Sequence, residues 1–143
     1  MKKLFLAAVV FSVVLAGCVS NSLEKITAPD GSVLHCEVAG TPQEREIGLM
    51  NRSALCVDCC MLFVFEESGK HSFWMKGTLI PLDIVFLDEN FSVVDVKENF
   101  LPCRQKPCES YATKASAKYA VEVNAGQAKK RRIAEGTEIL HGK

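Results

Sequence analysis

The chain has 143 residues, 17 of them lysine or arginine and 17 aspartate or glutamate, so its formal charge is zero. That length suits one small domain, and no basic field stands out to recruit nucleic acid. A chain this size buries only about two-thirds of its unfolded surface, which sets a modest stability.

The first residues read MKKLFLAAVVFSVVLAGC. Lys2 and Lys3 form a positive n-region, and Leu4 to Leu15 form an apolar core of signal-peptide length, short for spanning a bilayer. Leu15, Ala16 and Gly17 run directly into Cys18, which resembles a bacterial lipobox. In such a pattern the cysteine thiol is acylated, with palmitate among the chains, and the preceding peptide is removed. The expected organisation is a signal peptide over 1–17, a lipidated tether over 18–24 and a domain over 25–143. A signal peptide cut nearby, or an uncleaved anchor, is the plainer alternative. Several acyl chains on one residue anchor far more firmly than one. Val19 in place of aspartate favours the outer membrane, with the domain facing the periplasm.

Beyond the tether, Ser32 to Ala39 reads as a strand entered by a turn at Pro29-Asp30-Gly31. Thr41, Pro42 and Glu44 form a capping-box pattern, which predicts a helix from Pro42 to Met50. Ile47, Met50 and Ala54 recur at helical spacing and are expected to face the core. Met61 to Phe65 is a continuous apolar run and reads as a strand buried on both faces. His71 to Met75 is the next strand, and Asp83 to Phe100 a hairpin turning at Asp88-Glu89-Asn90. In its second arm Val94 and Val96 are expected to face one way, Asp95 and Lys97 the other. Lys118 to Gly126 contains a strand with Tyr119, Val121 and Val123 on one face and Ala120 and Glu122 on the other. A short helix follows, in which Lys129 to Arg132 form a solvated basic face, and Thr137 to Leu140 is a last strand. The fold class is mainly β (α+β): a compact, barrel-like antiparallel domain of six to eight short strands with two short helices.

Four segments, EREIGLMNRSAL, MLFVF, FWMKGTLIPLDIVFLD and VEVNAG, together resemble the DUF192 family in order and spacing. The resemblance spans Val33 to Leu140 and is most specific from Phe73 to Ile84. It implies a compact β-rich fold, often exported, and brings no established substrate, reaction or cofactor. Two positions depart from the family pattern. Cys60 replaces a glycine before Met-Leu-Phe, and Gly77 replaces an asparagine after the Trp-Met-Lys phrase, removing a side-chain donor and acceptor.

Apart from Cys18, the cysteines number six: Cys36, Cys56, Cys59, Cys60, Cys103 and Cys108. An exported chain meets an oxidising compartment, where disulfides are the default. Cys103 and Cys108 flank a short loop with a proline at each end and are expected to bridge. The other four allow three pairings. Thiol or metal chemistry at Cys56, Cys59 and Cys60, with His35 or His71, is the sharper reading, but zinc sites usually show a second ligand pair that is missing here. Met50, Met61 and Met75 could bind copper, though core filling explains them more simply. No nucleophile, P-loop or Rossmann motif is present, so no cofactor and no metal are expected.

The candidate site residues are Trp74, Lys76, Asp83, Glu122 and Asn124. Asp83 lies in a strand with two apolar faces, where a charge is costly without partners. It either ties together the Gly77 to Ile80 turn, with Trp74 as a cover, or edges a pocket walled by Trp74 with Lys76 at its polar rim. Glu122 either pairs with Arg52 or Lys76, or meets Asp83 as a second carboxylate for acid–base work on envelope carbohydrate. Asn124 either caps the second helix or joins the site. The leading functional expectation is a lipid-anchored cell-envelope module that binds a small molecule, a glycan or an envelope partner. A carbohydrate-acting enzyme using Asp83 and Glu122, and a metal or thiol-redox accessory, are the alternatives.

Overall fold

The computed structural model describes residues 23–142, so the lipobox at Cys18 and the apolar run before it lie outside the described residues. In chain order the elements are β1 (Glu24–Thr27), β2 (Val33–Ala39), α1 (Pro42–Ile47), β3 (Cys59–Gly69), β4 (Ser72–Trp74), β5 (Leu82–Leu87), β6 (Val93–Phe100), β7 (Ser110–Ala112), β8 (Ala117–Asn124), α2 (Gln127–Lys130) and β9 (Leu140–Gly142). β1 starts at Glu24, so the last residue assigned to the tether is already in the sheet.

Seven strands pair in the order β6-β5-β8-β3-β2-β1-β9, and β4 pairs with β7 in a separate ribbon. All pairs are antiparallel except β2 with β3, whose parallel register requires the crossover that carries α1. The edges of the large sheet meet at one end. Thr137 O accepts from Val93 N at 2.8 Å and Phe91 O accepts from Ile139 N at 3.0 Å, which brings the segment before β9 alongside the start of β6. This closure gives the sheet its barrel-like curl and protects an edge that would otherwise pair with other chains.

Two apolar clusters lie on opposite faces of the sheet. Val85, Leu87, Val121 and Val123 belong to one with Ile26, Leu34 and Leu62; Ile84, Phe86 and Ala120 belong to the other with Phe63, Phe73 and Phe100. β5 is fully buried because both of its faces are covered, and β8 alternates between the clusters as its sequence predicts.

β6 departs from simple alternation. Phe86 pairs with Asp95 but Leu87 pairs with Val93, so the chain bulges at Val94. Val94 therefore packs with the Phe63 cluster and Val96 with the Leu62 cluster, on opposite faces. Asp95 is fully buried rather than solvent-facing. It accepts from Tyr111 Oη at 2.9 Å and Lys114 N at 2.9 Å, and Lys114 Nζ lies 3.2 Å away. Burial pushes this carboxyl up, but those hydrogen bonds outweigh it and hold the group below the usual aspartate range.

α1 has its capping box: Thr41 Oγ1 accepts from Glu44 N at 3.2 Å, and Glu44 Oε2 accepts from Thr41 N at 2.9 Å. It ends at Ile47, earlier than Met50, because Gly48 takes a left-handed φ of 47°. The turn leaves Ile47 and Ala54 exposed and gives the core position to Leu49 instead. α2 is likewise short, and Arg131 does not belong to a solvated basic face. It is buried, donating to Val57 O at 2.9 Å and Asp58 Oδ1 at 2.7 Å, with Ser32 Oγ as a further partner.

Three disulfides join Cys36 to Cys60, Cys56 to Cys59 and Cys103 to Cys108. Cys36 and Cys60 are direct register partners across the parallel pair, 4.3 Å apart at Cα. Cys60, directly before Met61-Leu62-Phe63, is thus used for a crosslink between the two parallel strands.

Candidate ligand-binding site

A pocket of about 330 Å³ opens between the end of α1 and the sheet face that carries Phe63. The turn from Arg45 to Met50 forms one side, and Phe73 and Trp74 of β4 form the other. Glu122 of β8 contributes to the floor. Its position follows from register: Met61 and Ile84 flank it on β3 and β5, so its side chain shares their apolar face. Only 6% of the residue is exposed, and Oε2 has no hydrogen-bond partner among the described residues. Burial pushes its pKa up to about 8, so the acid is largely neutral at pH 7.

Gly48 shapes the wall above this carboxyl. A Cβ there would lie 3.2 Å from Phe63 Cζ and 3.8 Å from Glu122 Oε2, besides being strained at that φ. At the mouth, Arg45 Nη1 donates to Gly40 O at 2.6 Å and Val64 O at 2.9 Å, and its guanidinium lies 5.6 Å from the Phe65 ring centroid. A fixed positive charge thus sits at the rim, engaged with backbone carbonyls.

A family model for DUF192, described as an uncharacterised ACR, matches residues 25–141. The chain belongs to the DUF192 family. It is similar to the crystal structure of a protein from Sinorhizobium meliloti 1021 described as a candidate transcription regulator, at 30% identity and a TM-score of 0.77, covering 87% of this chain and 98% of that one. It is also similar to a protein of unknown function from Novosphingobium aromaticivorans DSM 12444, at 28% identity and a TM-score of 0.74, covering 82% and 83% of the two chains. No curated protein matches significantly.

Trp74 of the DUF192 domain is 45% exposed and walls two concavities. One is the pocket over Glu122. The other, of about 320 Å³, lies beside Lys76, Lys106 and Pro107. Lys76 Nζ sits 5.0 Å from the indole centroid, a cation–π pairing, and does not reach a carboxylate in any ion pair among the described residues. Gly77 next to it has a φ of 70°. That left-handed φ favours glycine, and among other residues asparagine adopts it most readily.

Asp83 does not belong to the pocket, and it does not tie the Gly77 to Ile80 turn. Its Oδ1 accepts from Asn99 N at 2.8 Å and its Oδ2 from Ala128 N at 3.0 Å. It thereby joins the bulged end of β6 to the first turn of α2, whose N-cap Gly126 has no side chain to do so. The Gly77 turn is held by backbone bonds instead, Thr78 N to Met75 O at 3.2 Å and Asn51 N to Gly77 O at 2.9 Å.

Nor do Asp83 and Glu122 meet. Asp83 pairs with Val123 while Glu122 pairs with Ile84, which puts the two carboxylates on opposite faces of the sheet. Glu122 also lacks the expected basic partner, since Arg52 pairs with Glu37. Asn124 is not a helix cap: its Nδ2 donates to Leu55 O at 2.9 Å and Cys56 O at 3.2 Å, pinning the crossover loop beside β8. The sulfurs of Cys56, Cys59 and Cys60 are all held in disulfides. Met61 and Met75 are buried in the core, while Met50 packs at the pocket and against Gly77.

The sequence reading named Trp74 and Glu122 but missed Arg45, Gly48 and Phe73. The glycine two residues before Met50 was the available signal, because a glycine after a short helical run marks a left-handed helix end.

Proposed function

We propose that this DUF192 protein is anchored through lipid on Cys18 in the bacterial cell envelope, at the outer membrane facing the periplasm, and binds a small ligand in the pocket between Gly48, Trp74 and Glu122. The observation that supports the binding reading most directly is the unpartnered Oε2 of Glu122, buried yet lining an open concavity. A buried polar atom without a hydrogen bond costs stability, and an apolar side chain would fill the same place more favourably. An acid placed there at a cost fits a group that acts on something entering from outside.

The paired-carboxylate reading is weaker, because Asp83 is on the far face and both of its oxygens already accept backbone hydrogens. A nucleic-acid role, suggested only by the description of the Sinorhizobium relative, finds little support in a chain of zero formal charge whose short basic run loses Arg131 to an internal ion pair.

Two experiments test the proposal. Labelled palmitate should enter the wild-type protein and not Cys18→Ala; absence of label from the wild type refutes the anchor. Protein incubated with an envelope extract should retain a small molecule detectable by native mass spectrometry, and Glu122→Leu should not retain it. Equal retention by both forms, or none by the wild type, refutes the pocket.

A further inference from the structure

The chemistry of the pocket floor narrows what can enter. Resting on the binding reading above, we propose that Glu122 acts as a neutral hydrogen-bond donor and that the pocket takes a compact apolar molecule presenting an uncharged acceptor, such as an amide carbonyl.

The argument begins with the charges around Glu122. Arg45 on α1 is engaged by the carbonyls of Gly40 and Val64. Glu46 on the same helix lines the pocket and would oppose an anionic ligand. Across the sheet, Glu37, Met61, Glu122, Ile84 and Lys97 form one row of register partners. Glu37 on β2 is neutralised by Arg52. Lys97 on β6 lies over the rings of Phe100 and Tyr111, at 5.2 Å and 5.3 Å. On β8 itself, Lys118 Nζ donates to Glu66 O at 2.7 Å. Lys76, just past β4, lies over the Trp74 ring at 5.0 Å. Each of these cations thus has another partner, and Glu122 forms no ion pair among the described residues.

Without a counter-charge, among Phe63 and its neighbours, ionised Glu122 would be an uncompensated buried charge. The neutral acid avoids that cost and has one O–H to donate. A ligand carboxylate would meet Glu46 and gain nothing from the neutral acid beyond a single hydrogen bond. A ligand ammonium would have to give up its hydration against a neutral acid, or ionise Glu122 and form a buried ion pair whose desolvation offsets its attraction. An uncharged carbonyl takes the proton of Glu122 and pays neither penalty. The walls suit a flat body: Phe63 and Phe73 meet edge to face with centroids 5.1 Å apart, and Trp74 stands at the opening. At about 30 Å³ per water-sized unit, the 330 Å³ holds roughly ten non-hydrogen atoms.

Benzamide, benzoate and benzylammonium are probes of that size differing in charge. The chain's single tryptophan is Trp74 itself, so the fluorescence of the full-length protein in detergent reports occupancy without a label. At pH 6 benzamide should give a saturable change with a Kd at least about tenfold below those of the two ions. At pH 9, a unit above the Glu122 pKa of about 8, benzamide affinity should fall about tenfold as the donor is lost. Glu122→Gln, which keeps an N–H donor, should abolish that fall, and Glu122→Leu should lose benzamide at both pH values while remaining folded by circular dichroism. Tighter binding of either ion at pH 6, a benzamide affinity unaffected by Glu122→Leu, or no saturable response to any probe overturns the proposal. The extract experiment decides separately whether the pocket binds at all.

Discussion

Replacing Asp83 with asparagine tests whether this residue, so suggestive in the sequence, is a fastening between elements rather than part of a site. Asp83 is fully buried and its two oxygens accept from Asn99 N and Ala128 N at 2.8 and 3.0 Å. Asparagine keeps one acceptor and turns an NH₂ toward the other backbone N–H, so one charge-assisted hydrogen bond is lost and a buried donor is left facing a donor. A hydrogen bond to a charged group contributes about 1.5–3 kcal/mol, and an unsatisfied buried group costs a further 1–3 kcal/mol or so. A net loss of about 3 kcal/mol follows, partly relieved by shifts in the short α2. For a domain of this size, about 3–5 °C per kcal/mol converts this into a Tm lowered by roughly 10 °C. Thermal unfolding followed by circular dichroism measures the shift, and hydrogen exchange at the Ala128 and Asn99 amides localises it. A Tm within about 3 °C of wild type, with both amides still protected, would refute the reasoning. Benzamide binding should survive the substitution, because Asp83 lies on the far face of the sheet from Glu122.

Other perturbations have equally definite outcomes. The Glu122 pKa is raised from 4.5 to about 8 in the folded state, so the native protein holds the extra proton between those values and stability falls as pH rises through that window; Glu122→Gln should flatten this slope, raising Tm more at pH 9 than at pH 5 in parallel melts. The Asp95 pKa is lowered, so its contribution is fully present above the ordinary aspartate value and is lost as pH falls through the folded one; Asp95→Asn should lower Tm at pH 7 and narrow the gap to wild type on acidification below pH 4. Arg131→Leu removes the donor shared by Ser32, Val57 and Asp58 and should cost about 2 kcal/mol in denaturant unfolding, less than a wholly buried pair because Asp58 can rehydrate. The Cys103→Ser, Cys108→Ser double variant opens a loop with a sequence separation of 5 and should cost about 2 kcal/mol by loop-closure entropy.

What the sequence disclosed was whatever local chemistry decides. The capping box of α1 is a reciprocal pair of short-range hydrogen bonds, and the alternation of β8 needs only a strand with two covered faces. The doubly buried character of β5 was legible for the same reason. Asp95 was misread because one additional residue at Val94 reverses which side of β6 each later side chain takes, and nothing local signals the insertion. β1 and β7, of four and three residues, carry too little pattern to stand out, and the last strand, expected at Thr137 to Leu140, runs instead from Leu140 to Gly142. Trp74, Glu122 and Asp83 stood out alike in the sequence as unusual residues in apolar surroundings, and the structure brings the first two, not the third, to one pocket. Only the register of β5 against β8 separates the acid facing a cavity from the acid facing two backbone donors.

The bridge between Cys36 and Cys60 also decides how force passes through the molecule. A pull on the chain ahead of Leu23 enters at β1, whose pairing with β2 and β9 can be peeled open bond by bond. Peeling advances into β2 only as far as Cys36, where the covalent link carries the load straight to Cys60 on β3, two strands in from β1. The crossover between those cysteines, with Arg45, Gly48 and Met50 over Glu122, is bypassed as slack chain. A pull from the N-terminal side can thus strip β1 and the start of β2 while the crossover above Glu122 stays out of the load path.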